Sequence, residues 1–156
     1  MRKMMSAATV AGLAVIGLAL PGAVAQATPA STCTYKEDGK VHAWRYTNCT
    51  GDHLGAAEGD DWDWGDNTGP FQGDDDNRAS SVMNSGWNDP NGYNYVAFYR
   101  LPGNPANTWS SGYICMDRGD WVVDLSKVTF TTGQVVDDSI SAHAWVQRSA
   151  CGKFMG

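Results

Sequence analysis

Apolar and polar residues alternate along several short runs of this chain. Between residues 41 and 46, Val41, Ala43 and Arg45 fall on one side of an extended backbone, and His42, Trp44 and Tyr46 on the other. Residues 93–100 repeat the pattern, with Tyr93, Tyr95, Ala97 and Tyr99 against Asn94, Val96, Phe98 and Arg100. A period of two marks a β-strand, and aromatic and β-branched side chains suit its pleated surface. Leu101-Pro102-Gly103-Asn104-Pro105 then breaks the run. Further strands are expected over 113–116 and 121–125, followed by short extended pieces at 128–132 and 135–136 and a last alternating run over 141–147. Apolar residues do not recur at helical spacing for three turns. With 18 glycines scattered between the short runs, the pattern predicts an all-β sandwich.

One apolar run differs in kind. Arg2 and Lys3 precede an apolar segment over 7–20, and Ala25-Gln26-Ala27 follows as a small-residue cleavage site. These are the three parts of a secretory signal peptide, with an apolar core too short to span a bilayer. The expectation is a signal peptide over 1–27 and a single domain over 28–156, secreted and extracellular. Removing Arg2 and Lys3 leaves 9 basic residues against 17 acidic ones, a net charge of about −8. Such a surface repels nucleic acid and anionic lipid and favours cations or basic protein surfaces. Neither nucleic acid nor membrane is therefore an expected partner, and the domain is expected to be a monomer. In an exported chain the 4 cysteines read as two disulfides. Of the three possible pairings, Cys33–Cys49 and Cys115–Cys151 each join segments within one half of the chain.

Catalysis finds little support in the residues. Residues 54–76 carry Glu58, Asp60, Asp61, Asp63, Asp66, Asp74, Asp75 and Asp76 without one lysine or arginine, and Trp62 and Trp64 sit among them. Asp60, Asp61, Asp63 and Asp66 beside two indoles could mimic a sugar-binding cleft, although acidic loops are far commoner than catalytic ones. His42, His53 and His143 stand at no metal-ligand spacing, no serine lies in a G-x-S-x-G elbow, and the cysteines are assigned to disulfides. The chain is expected not to be an enzyme.

The oxygen-rich stretch Asp76-Asn77-Arg78-Ala79-Ser80-Ser81 offers carboxylate, amide and hydroxyl groups, the donors a hard cation such as Ca²⁺ takes. The same residue types also build ordinary turns. What separates the two readings is a second copy, Asp137-Asp138-Ser139-Ile140-Ser141-Ala142, in the other half of the chain. Recurrence at this spacing indicates an internal duplication. The order Asn/Asp-Asn/Asp-x-x-Ser/Thr-Ser resembles the calcium signature of the βγ-crystallin superfamily, met in full by the first copy and missed by the second at Ala142. Asn77 to Val82, Gly112-Tyr113-Ile114-Cys115-Met116 and the run from Asp117 to Trp145 resemble the secreted actinobacterial metallopeptidase-inhibitor family, which uses this fold. The resemblance implies a βγ-crystallin-like Greek-key sandwich of two motifs whose signature stretches cross to build two structural Ca²⁺ sites. Asp76, Asn77, Ser80 and Ser81 would serve one array, and Asp137, Asp138 and Ser141 the other, with Ala142 weakening one of them. It also implies inhibition of a secreted peptidase, for which the proline-bounded loop over 101–109 is one candidate. A calcium-binding or toxin-like module without inhibitory activity, or a carbohydrate-binding protein, are the alternatives.

Overall fold

The computed structural model describes residues 33–103 and 109–156, so the signal peptide expected over 1–27 lies outside the described residues. Seven strands form: β1 (Lys40–Tyr46), β2 (Thr50–Ala57), β3 (Ser81–Ser85), β4 (Tyr95–Tyr99), β5 (Tyr113–Met116), β6 (Trp121–Val122) and β7 (Ala142–Val146). They make two sheets, in the orders β2-β1-β3-β6 and β5-β4-β7, with every pair of neighbouring strands antiparallel. The chain is all-β, as its alternation predicts.

Each half lends an extended piece to the sheet of the other. Strand β6 belongs to the second half yet pairs with β3, through Val82↔Val122 and Met83↔Trp121. In return Asp61, from the first half, bridges to His143 of β7, with N···O distances of 3.0 and 2.7 Å. The exchange makes the sandwich a two-motif Greek-key structure whose halves cannot separate without breaking both sheets.

The core lies between the sheets. In β1 burial does not follow the sequence alternation: His42 is buried too, at 3% exposure, between Val41 and Ala43, which are fully buried. Opposite them are Phe98, Ile114, Phe130 and Ile140, with Trp64 stacked on Phe71 at 4.0 Å between ring centres. Strand β4 departs from simple amphipathicity. Val96, Ala97, Phe98 and Tyr99 are all buried, because Trp62, Trp109 and Tyr113 cover the outer face that Ala97 and Tyr99 present. Burying aromatic area on both faces is the largest apolar contribution available to so short a strand.

Both expected disulfides form, Cys33–Cys49 and Cys115–Cys151, and no described cysteine is free. The first ties the entry of the domain to the end of the β1–β2 hairpin. The second ties β5 to the C-terminal segment, where Cys115 N donates to Lys153 O at 3.0 Å and Met155 N to Cys115 O at 2.8 Å. Each cross-link is worth about 2–4 kcal/mol, chiefly through the unfolded chain.

Two expectations about strands need correction. The strand expected over 121–125 stops at Val122, since Asp124 turns the chain by accepting the Ser126 N–H at 3.1 Å. Residues 128–136 form no strand; Phe130 N bonds Gln134 O at 2.8 Å and a single bridge joins Thr129 to Val135.

Candidate metal centre

The two signature copies lie side by side, each leading into the last strand of its motif. Asn77 and Asp138 occupy the same place in the two copies, and both adopt left-handed backbone, at φ 56° and 50°. Asn and Asp are the non-glycine residues that tolerate this region, which accounts for the residue type required there. The copies then bond each other reciprocally. Asn77 N donates to Ile140 O at 2.9 Å, and Asp138 N donates to Ala79 O at 3.1 Å. Ser80 N reaches Trp44 O in β1, and Ser141 N reaches Tyr99 O in β4, both at 2.9 Å. Their carbonyls in turn accept from Leu125 N and Trp64 N. The arrangement is a local two-fold that the duplication in the sequence foreshadows.

Side chains cross in the same sense. Ser141 Oγ stands 3.3 Å from Asn77 Oδ1, so a hydroxyl of the second copy meets an amide of the first. A cleft of about 230 Å³ brings Ser80 of the first copy beside Asp138 of the second, with Arg45, Tyr46, Asn77 and Arg78 around it. Burial, and then the neighbouring Asp137, push the Asp138 carboxyl above its ordinary pKa, with Arg45 and Arg78 opposing the rise. In the first copy Asn77 Nδ2 donates to Asp76 Oδ2 at 2.7 Å. The other oxygen, Asp76 Oδ1, is buried without a partner, and so is Asp137 Oδ1 at the matching place in the second copy. Native proteins rarely leave buried carboxylate oxygens unpaired, and here the same atom is orphaned twice.

Ser81 has a different task from the one the signature implies. Its hydroxyl donates to Tyr46 O at 2.6 Å and accepts from Cys49 N at 3.0 Å. Fully buried, it laces the β1–β2 hairpin to β3. Ala142, its counterpart, has no hydroxyl, so β7 makes no side-chain bond of this kind.

Among the described residues no three His, Cys, Asp or Glu side chains surround a common point. A site here must combine carboxylate with amide, hydroxyl and backbone carbonyl oxygens, a mixture that suits Ca²⁺ and does not suit zinc. The donor set and the two orphaned oxygens fit that ion.

The carboxylates of the acidic run over 54–76 accept backbone N–H groups, most of them from the run itself and one from β7. Asp60 Oδ1 accepts Trp145 N at 2.8 Å, Asp61 accepts Asp63 N and Phe71 N, Asp63 accepts Gly65 N, and Asp66 accepts Thr68 N. Burial raises the pKa of both Asp60 and Asp61. Trp64 is fully buried and Trp62 packs on Tyr99, so these two indoles do not form an exposed pair against which a sugar could stack. Trp64 Nε1 instead donates to His143 Nδ1 at 2.9 Å, and His143 Nε2 donates to Gly59 O at 3.0 Å. No local motif announces this network. A second surprise is that His42 and His53, far from standing alone, lie 3.2 Å apart.

No protein-family model and no curated protein matches the chain. Solved structures are similar to it, two of them as follows. One is a domain from work on the evolution of the eye-lens βγ-crystallin domain fold, at 23% identity and TM-score 0.42, covering 68% of this chain and 83% of that one. The other is a βγ-crystallin from an archaeon, at 17% identity and TM-score 0.41, covering 69% and 96%.

Proposed function

We propose that this chain is a secreted, calcium-stabilised βγ-crystallin-like protein. One observation carries the reading: Asp76 Oδ1 and Asp137 Oδ1, equivalent atoms of the two signature copies, are buried with no hydrogen-bond partner. A buried charged oxygen left unpaired costs more than the roughly 1–3 kcal/mol of a neutral group, and a bound cation offsets that cost. Asp76, Asn77 and Ser141 would hold one ion, and Asp137, Asp138 and Ser80 the other, with backbone carbonyls completing each shell. The ion supplies charge neutralisation where two loops cross, and it stabilises the fold by mass action. Calorimetric titration of the mature protein should find at least one Ca²⁺ site, and the melting temperature should rise with Ca²⁺. Absence of both heat and thermal shift at millimolar Ca²⁺ overturns the reading.

Peptidase inhibition is the second reading. It is supported by the resemblance of residues 77–82, 112–116 and 117–145 to the secreted metallopeptidase-inhibitor family, and by the base of the β4–β5 connection. There Arg100 N bonds Gly112 O at 3.0 Å, Cys115 is cross-linked to Cys151, and Leu101 is 46% exposed. A loop held in its bound shape enters a cleft at less entropic cost. Residues 104–108 of the expected loop lie outside the described residues. The partner would be a secreted metallopeptidase, and the chain itself performs no catalysis. The purified protein should inhibit at least one thermolysin-type zinc peptidase stoichiometrically and lose that activity on reduction. Digestion by every peptidase in a panel, with no slowing of a reporter substrate, refutes it.

A further inference from the structure

Asp38, His42 and His53 form a cluster on the first sheet, built from residues the calcium reading does not use. His42 Nε2 lies 3.1 Å from both carboxylate oxygens of Asp38. An ionised carboxylate only accepts, so Nε2 carries a hydrogen, and in the neutral ring Nδ1 keeps its lone pair. That lone pair faces His53 Nε2 at 3.2 Å. Two imidazole nitrogens at 2.0–2.1 Å from a zinc ion, at a tetrahedral angle, are about 3.3 Å apart. The separation matches the bite of a chelate; in the ion-free protein the hydrogen between the two nitrogens sits on His53 Nε2, and binding an ion there requires it to shift to His53 Nδ1.

The backbone is bent to produce it. Ala43 pairs with Gly55 in the β1–β2 ladder, but Trp44 pairs with His53, so Leu54 is an extra residue on β2. With regular register Trp44 would face Leu54, and His53 would point to the other side of the sheet. The bulge turns His53 onto the face that carries His42 and Trp44, and bulges commonly re-aim a side chain in this way. Trp44 forms a wall beside the pair, stacked on His42 at 5.6 Å and 5.2 Å from the His53 ring. His42 is 3% exposed and His53 is exposed, so the buried ring is held by Asp38 while the other opens the site to solvent.

We propose that His42 and His53 chelate a divalent transition-metal ion, Zn²⁺ or a borderline neighbour, with Asp38 positioning the His42 ring. Imidazole suits this class and not Ca²⁺. A carboxylate on the far nitrogen is the usual outer support of a metal-bound histidine. With no third His, Cys, Asp or Glu converging among the described residues, the remaining coordination positions are open to water.

The test uses the untagged mature protein saturated with Ca²⁺, titrated with Zn²⁺ by calorimetry and with Co²⁺ by histidine-ring NMR. One ion per chain should bind, and the His42 and His53 ring signals should shift or broaden while those of buried His143 stay in place. His53→Ala should keep the fold by circular dichroism, since the side chain is exposed, and lose Zn²⁺ binding at least tenfold. Asp38→Asn should weaken it about tenfold and change the tautomer-sensitive nitrogen shifts of His42. Zn²⁺ binding by His53→Ala equal to the parent, or no binding by the parent, overturns the proposal and leaves a hydrogen-bonded pair only. Unchanged affinity in Asp38→Asn overturns its positioning role.

Discussion

Ser81→Ala separates a structural hydroxyl from a ligand. The hydroxyl makes two bonds, to Tyr46 O at 2.6 Å and from Cys49 N at 3.0 Å, in a side chain with no exposure. Each such bond contributes about 1 kcal/mol net, and an abandoned buried partner costs at least as much. The substitution should therefore destabilise the domain by about 2 kcal/mol, which for a domain of this size lowers the melting temperature by roughly 6–8 °C. Calcium affinity should not change, because the hydroxyl is turned toward the hairpin. Ser141→Ala should do the reverse. Its Oγ meets only Asn77 Oδ1, at 3.3 Å, so stability in chelator should fall by no more than about 1 kcal/mol while the calcium heat declines. Urea unfolding in chelator gives the first quantity, and calorimetry with Ca²⁺ gives the second. A Ser81→Ala protein as stable as the parent in chelator but deficient in calcium binding would refute the assignment. By the same reasoning Ala142→Ser should leave calcium binding where it is, contrary to what the signature alone implies.

Two further outcomes follow from the core. Burial holds the His143 pKa down to about 4 against an ordinary 6.5, so the folded state keeps the ring neutral while the unfolded chain protonates it. Stability is full above pH 6.5 and is lost as pH falls toward 4, by up to about 3 kcal/mol, and a His143→Gln comparison across that window should isolate the effect. A His143 ring titrating near 6.5 by NMR contradicts it. Gly55→Ala should destabilise by about 2 kcal/mol in thermal or urea unfolding, because a Cβ there falls 2.7 Å from Phe71 Cδ1 and 2.8 Å from the Pro70 carbonyl.

Gly55 also explains what the sequence hid. Strand β2 reads Thr-Gly-Asp-His-Leu-Gly-Ala-Ala, with no Tyr, Phe or Trp and a single β-branched residue at its first position, unlike β4. Its small residues make room for Phe71, and its strand state comes from pairing with β1, so no local preference betrays it. Strand β3 was masked differently, since Ser81-Val82-Met83-Asn84-Ser85 is buried at every position and carries polar groups satisfied by distant partners. Asn84 Nδ2, for example, bonds Asn94 O and Met116 O. The signature copies were legible because their chemistry is local, an Asn or Asp at each left-handed residue followed by a hydroxyl. For Ser81 the six letters state that an oxygen is present but not that its hydroxyl faces Tyr46 O and Cys49 N. The His42–His53 pair was invisible because it depends on a bulge in a strand that could not be predicted.

The local two-fold makes the halves alike in backbone and unlike in charge. A Cβ on Gly65 would lie 3.3 Å from Asp63 Oδ1 and 3.4 Å from Asp76 Cβ, so the first copy has an added carboxylate close to its orphaned oxygen. At the matching place in the second half Asp124 is neutralised by Lys127 at 2.8 Å. Arg45 and Arg78 line the cleft that holds Ser80 and Asp138. Each guanidinium is itself paired, with Asp52 and Asp74, but those partners are largely exposed and screen weakly bound charge only in part. A cation held by Asp76 and Ser141 would have the Asp63 carboxylate nearby, and one held by Asp138 and Ser80 would face Arg45 and Arg78. At ε of about 20, a single unit charge 8 Å away changes the energy of a divalent ion by about 4 kcal/mol before screening by salt. That exceeds what one hydroxyl contributes. On the proposed reading, the two arrays would differ more through where the arginines stand than through Ala142, the one departure from the signature.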